Sequence, residues 1–176
     1  MAYRIIDPQV GMPKIADIHT VGYNKQWKLG DVIQAFDTTY GTGEFIYLKG
    51  VASNFVGALV TYVANTGVVV LSTTSGIVNG GAPLAVSMSA ATATDFGWYQ
   101  IAGDAVIKKT AVKFDPAAAT GTHVYLSATA GRIMQTSVAG RQVLGARFAS
   151  TTTVTSTTST AIVTLNRPSQ KSGSAV

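Results

Sequence analysis

Apolar and polar residues alternate along most of this chain in short runs broken by Gly, Pro, Asn and Asp. Residues 32–36, 59–63, 84–89, 123–127, 132–136, 143–148 and 161–165 have the length and β-branched content of strands. Turn chemistry separates them at Gly30-Asp31, Asp37 to Gly41, Asn79 to Pro83 and Ala130-Gly131. The run from Gly67 to Ser72 reads as a strand buried on both faces. Residues 90–95 read as a loop rather than a short helix, and the Asp115-Pro116 region as a loop or a single helical turn. No stretch sustains a 3.6-residue period. The pattern predicts an all-β fold, a small antiparallel β-barrel or sandwich.

One stretch stands out within the pattern: GTGEFIYLKGVA, Gly41 to Ala52. Phe45 to Ala52 aligns by residue type with Trp98 to Ala105, and in each a glycine follows the first aromatic by five residues. A glycine inside a strand marks a bulge or a close backbone approach. Two similar strands are expected, each kinked at its glycine, Gly50 or Gly103.

The ends of the chain look different. Pro8, Gly11 and Pro13 interrupt residues 1–20, which nevertheless carry Tyr3, Ile5, Ile6, Val10, Met12, Ile15 and Ile18. This predicts an extended N-terminal arm whose apolar residues lie on the chain's own body or on a neighbouring subunit. Residues 21–168 form a single β domain, and 169–176 a flexible tail. The Thr-rich stretch 151–160 reads as an exposed hairpin with a mobile tip.

Composition sharpens the functional question. Charged residues make up 12% of the chain, about half of the roughly 25% usual in globular proteins. Thr, Ser, Ala and Gly fill the gap. Such a surface suits a protein that covers itself with neutral polar groups or hides against neighbours. The net charge of +5 comes from scattered basic residues. Lys108, Lys109 and Lys113 form the one tight group, read as a solvated loop or edge strand, and no specific nucleic-acid partner is expected. Cysteine is absent, so neither a disulfide framework nor a thiolate site exists. The opening MAYRIIDPQVGMPK lacks the apolar core of a signal peptide, and no apolar run could span a bilayer as a helix. Synthesis in the cytoplasm with no membrane partner is expected.

Candidate chemistry is sparse. Asp17 and His19 share a face if extended, but a metal site wants a third ligand, and the two read as a polar pair on the arm's surface. His123 reads as a satisfied residue at a strand start. Glu44 is the sole glutamate. A glycosidase would pair it with a second carboxylate, with Asp37 the nearest in sequence. A hydrogen bond in a turn, or a pair with Lys49 or an arginine, accounts for it more simply. There is no nucleophile elbow and no phosphate-binding loop. Trp27, Phe45, Tyr47, Trp98 and Tyr99 lack the interleaved Arg or Lys of a base-stacking platform, and packing in a core or subunit interface is expected. No catalytic residue, cofactor or metal is predicted.

The strings GTGEFIYLKGVAS (41–53), FGWYQIAG (96–103), VYLSATAG (124–131) and VTLNRP (163–168) together resemble capsid decoration proteins of tailed bacteriophages, also called cement or head-stabilising proteins. The similarity runs from about residue 20 to Pro168. The first two strings are its most specific parts, and all four look structural. The resemblance implies a homo-oligomer, a trimer in preference to a dimer. It would sit on the outer surface of the virion head and bridge major capsid protein subunits. On this reading the arm residues Tyr3, Ile5, Ile6, Val10, Met12, Ile15 and Ile18 contact the capsid or a sister subunit. The alternative is a fibre or spike module that binds host surface glycans or proteins.

Overall fold

A computed structural model describes residues 2–7, 12–20, 27–73, 81–110, 123–149 and 158–171. Eleven strands appear in this order: β1 (Arg4–Ile5), β2 (Val32–Asp37), β3 (Gly41–Lys49), β4 (Leu59–Val63), β5 (Val68–Leu71) and β6 (Leu84–Ser87). β7 (Phe96–Lys108), β8 (His123–Leu126), β9 (Ile133–Met134), β10 (Gln142–Phe148) and β11 (Thr160–Gln170) follow. All ladders between them are antiparallel. The all-β antiparallel expectation holds.

Closure into a barrel does not. The strands form one large open sheet in the order β1-β2-β3-β7-β11-β10-β8-β9, with β6, β4 and β5 branching from β7. The branch is possible because β7 is long. Tyr99 and Gln100 pair with Ile46 and Phe45 of β3 and also with Ser87 and Val86 of β6, so β3 and β6 lie on opposite edges. From Ala102 onward β7 pairs with β11 instead. The path ends in strands of two residues, β1 and β9, too short to extend a ladder. The far end returns to the residue after β7 through a single bridge, Lys109 to Ile133.

β3 and β7 are the central strands, and alternation sends their side chains to two different cores. Phe45, Tyr47 and Trp98 pack with Tyr3, Ile15, Ala35 and Met88. Ile46, Leu48, Tyr99 and Ile101 pack with Val60, Val69 and Ala85 on the other side. A third cluster joins the second half of β7 to β8, β9, β10, β11 and the apolar faces of β4 and β6. Phe45 to Leu48, in the second half of β3, are therefore buried on both faces of the sheet.

The two aligned glycines are not equivalent. Gly50 follows the end of β3, and a Cβ there would strike the carbonyl oxygens of Ala91 and Thr92. Gly103 lies inside the continuous β7 at φ +87°, pressed against the Thr42 carbonyl. The bulge itself is two residues earlier. Pairing jumps from Phe45–Gln100 to Glu44–Ala102, leaving Ile101 as the extra residue.

Several boundaries move. β5 is not buried on both faces: it ends the branch, and Val68 and Val70 face outward about half exposed. The flexible tail does not begin at 169. β11 runs through a buried Gln170, whose backbone bonds Ala82 and Gly81, and Lys171 N–H reaches the Gln142 carbonyl. The expected hairpin tip at 151–157 and residues 172–176 lie outside the described residues.

Candidate interaction face

The arm is joined to the body from its first residues. β1 pairs with β2, Arg4 opposite Phe36 and Ile5 opposite Ala35, and Ile6 N–H donates to the Gln34 carbonyl at 3.0 Å. Asp37, at the end of β2, accepts the Ala2 N–H at 2.6 Å and the N–H groups of Thr39 and Tyr40 at 2.8 and 3.1 Å. Burial by itself would raise this carboxyl's pKa. The three donors outweigh it and hold the group below the usual carboxylate range.

Tyr3 is the deepest anchor. It is 8% exposed, its ring meets Phe45 edge-on at 4.8 Å, and its hydroxyl donates to the Asp104 carbonyl at 2.9 Å. Gln100, fully buried, donates to the same hydroxyl at 3.3 Å and to the carbonyls of Ala102 and Asp104. Ile15 is also buried in this cluster. Tyr3 and Ile15 are therefore core residues of this chain, which corrects their expected role as contacts for a capsid or sister subunit. Burial needs partners far away in sequence, and the local pattern does not show them. Ile5 and Met12 are partly covered, Ile6 and Ile18 are exposed, and Val10 lies outside the described residues.

What the arm leaves open is one face of the β1–β2–β3 ladder. Val32, Gln34 and Phe36 alternate onto it, opposite Ile46, Glu44 and Thr42, with Arg4 and Ile6 on the same face from β1. Ile6, Val32 and Phe36 are 47%, 45% and 46% exposed. Ile6 lies diagonally between the other two, at cross-strand distances of about 7–8 Å. The opposite side of the same strands, Ile5, Ile33 and Ala35, packs into the core. Sequence reasoning singled out Ile6 but missed Val32 and Phe36. They look like ordinary strand residues until register puts them beside it.

The border of this face carries charge. Glu44 accepts from Arg167 Nη2 at 2.9 Å across β7, where Ala102 pairs with both Glu44 and Asn166. Arg167 has a φ of +44°, uncommon for a residue other than glycine. It lies where β11 and β10 slip register across Gly145. The irregular backbone there brings the guanidinium to Glu44. The expected arginine partner for Glu44 is thus identified, and the pair is partly exposed. A second apolar patch, Val63, Val68 and Val70, lies on the β4–β5 hairpin, with Val63 directly opposite Val68.

The other polar candidates disperse. Asp17 is exposed and accepts the Lys14 N–H at 3.1 Å. His19, however, is no surface residue. It is 7% exposed, turned from the arm toward the body, with Nδ1 2.8 Å from the Tyr47 hydroxyl. His123 begins β8, exposed, with Gln142 Nε2 at 3.3 Å from Nδ1. Lys109 is not solvated either. It is 3% exposed, Nζ donates to the Thr110 carbonyl at 3.2 Å, and burial lowers its pKa. The reason is tertiary: the segment after β7 is clasped between Ile133 and Ser159. Lys113 lies outside the described residues. No group of three metal-ligating side chains occurs among the described residues. Phe45, Tyr47, Trp98 and Tyr99 are all core, and Trp27 is partly covered beside Trp98. No protein-family model, curated protein or solved structure matches the chain.

Proposed function

We propose that the chain is a capsid decoration protein of a tailed-bacteriophage head. It docks on the outer surface of the shell through the Ile6–Val32–Phe36 face and bridges major capsid protein subunits. The observation that carries this reading is the exposed apolar row on a lightly charged all-β body. The strings that resemble decoration proteins are β3, the first half of β7, β8 with its turn, and β11. They speak for the frame, and the docking face belongs to this chain.

Magnitudes argue for more than one copy. Covering the exposed half of one such side chain is worth about 1 kcal/mol, half of the roughly 1.5–3 kcal/mol for full burial. Three side chains give about 3 kcal/mol, below the roughly 4–15 kcal/mol cost of association. Three copies linked as a trimer reach about 9 kcal/mol before that cost, which falls mainly on the first contact because the later ones are intramolecular. Two copies reach about 6 kcal/mol. A trimer on the virion surface is therefore part of the proposal. Binding the assembled shell alone stabilises it by mass action.

The test mixes purified protein with expanded and unexpanded heads of the virus that encodes it and counts bound copies. Expanded heads are expected to bind a fixed number set by shell symmetry. The Val32→Asp/Phe36→Asp double variant is expected to bind less than about a tenth as much at unchanged thermal stability. Wild-type protein that ignores both kinds of head overturns the reading. Adherence to host cells or their polysaccharides instead supports a fibre or spike module.

A further inference from the structure

Among the described residues, residues 12–20 of the arm are held to the body at one backbone point. His19 N–H donates to the Phe96 carbonyl at 2.9 Å, and Phe96 N–H returns to the His19 carbonyl at 2.7 Å. Ile15, in the core cluster with Tyr47 and Met88, supplies the apolar part of the hold. The His19 ring is buried with this backbone pair, tilted at 5.6 Å against the Tyr47 ring.

The imidazole is only half satisfied. Nδ1 has the Tyr47 hydroxyl, while Nε2 is buried with no hydrogen-bond partner among the described residues. In a neutral ring that mismatch is one uncharged nitrogen. In the protonated ring it becomes a charged N–H without an acceptor, a costlier state to bury. Few charged groups face the ring. Asp17, on the same segment, is exposed, and its attraction favours the cation. From β3, Tyr47 offers a hydroxyl that burial keeps protonated. Beside the start of β7, Asp95 is turned to Thr92, whose N–H and hydroxyl it accepts at 2.9 and 2.6 Å. Burial outweighs Asp17, and the ring holds its proton less tightly than an exposed histidine.

We propose that His19 is a proton-operated latch: neutral, it closes residues 12–20 onto β3 and β7, and protonated, it lets the segment lift. Opening frees Ile15 and uncovers Tyr47, Met88 and Phe96, an apolar surface absent from the closed form. The open ring binds a proton more readily than the closed ring, so opening takes one up. The closed state is fully favoured above the ordinary histidine pKa of 6.5 and weakens as pH falls below it. This latch stands whether or not the chain binds a viral shell.

Native-state hydrogen exchange tests it, because the His19 and Phe96 amides are themselves the latch. Between pH 7.5 and 5, protection at these two amides, corrected for intrinsic exchange, is expected to fall. The fall is about tenfold for each unit by which the closed ring titrates below 6.5. Protection at Ile46 and Tyr99, in the centre of the sheet, stays constant. His19→Asn keeps a hydrogen-bonding group near Tyr47 without a titrating ring, and its latch amides lose the pH dependence. Constant wild-type protection, or an equally steep fall in His19→Asn, overturns the proposal. If that variant does not fold, the wild-type ring decides by NMR titration. A midpoint at or above 6.5 overturns the latch, and one below it agrees.

Discussion

Replacing Tyr3 separates an arm built into the core from an arm that waits for a partner. Tyr3→Ala removes a ring that is 8% exposed and packed edge-on against Phe45. Aromatic-to-Ala changes in cores cost about 3–5 kcal/mol. The hydroxyl adds less than its geometry suggests. Gln100 Nε2 keeps the carbonyls of Ala102 and Asp104 when it loses the Tyr3 oxygen, and the Asp104 carbonyl keeps Gln100. Tyr3→Phe therefore costs about 1 kcal/mol, the ordinary value of one hydrogen bond. Urea unfolding read by tryptophan fluorescence measures both variants. The midpoint shifts with the slope unchanged if the native and denatured states keep their compactness. At this chain length the Ala variant melts lower by about 2–4 °C per kcal/mol, or roughly 6–20 °C. A loss below about 1 kcal/mol in Tyr3→Ala would refute the argument, because an arm that contributes so little is not part of the fold.

Three further outcomes follow from the same structure. Gly50→Ala drives a methyl group into the carbonyls of Ala91 and Thr92 and is expected to cost more than about 2 kcal/mol or to abolish soluble expression. Gly41→Ala, at φ +71° with nothing within 4 Å, costs only the left-handed backbone penalty of about 1–2 kcal/mol by the same denaturation assay. In alkali, Tyr3 and Tyr99 are both pushed up to about 12, chiefly by burial. The unfolded chain releases these protons from pH 10 upward, so their contribution is intact below pH 10 and lost as pH rises toward 12. Thermal melts between pH 9 and 12 should show that decline. In Tyr3→Phe, whose ring does not ionise, the decline should be shallower.

Much of the local structure was legible in the chain. β4 spans the expected residues 59–63, and β2 runs one residue past the expected 32–36. The strand at 123–127 loses a single residue. These segments are set by period-two alternation and by turn residues close in sequence, which act over a few peptide units. Burial was less legible. The run Val68 to Leu71 looks like an interior strand by composition, yet it ends a branch and exposes two valines. His19 and Lys109 look like surface residues, yet both are covered.

The candidate face shows the same division. The chain announces Ile6 as an apolar residue in a Pro-interrupted arm. It does not announce that Val32 and Phe36 will stand beside it, or that Tyr3 and Ile15 will turn inward. Alternation by itself determines that neighbouring side chains in a strand take opposite faces. It does not determine which face meets protein and which meets water. That choice belongs to the tertiary structure: Tyr3 reaches Asp104 across 101 positions, and Arg167 reaches Glu44 across 123. Side chains that far apart are brought together only when β3, β7 and β11 pair. Desolvation then decides which apolar surface is used up in the fold and which is left for a partner.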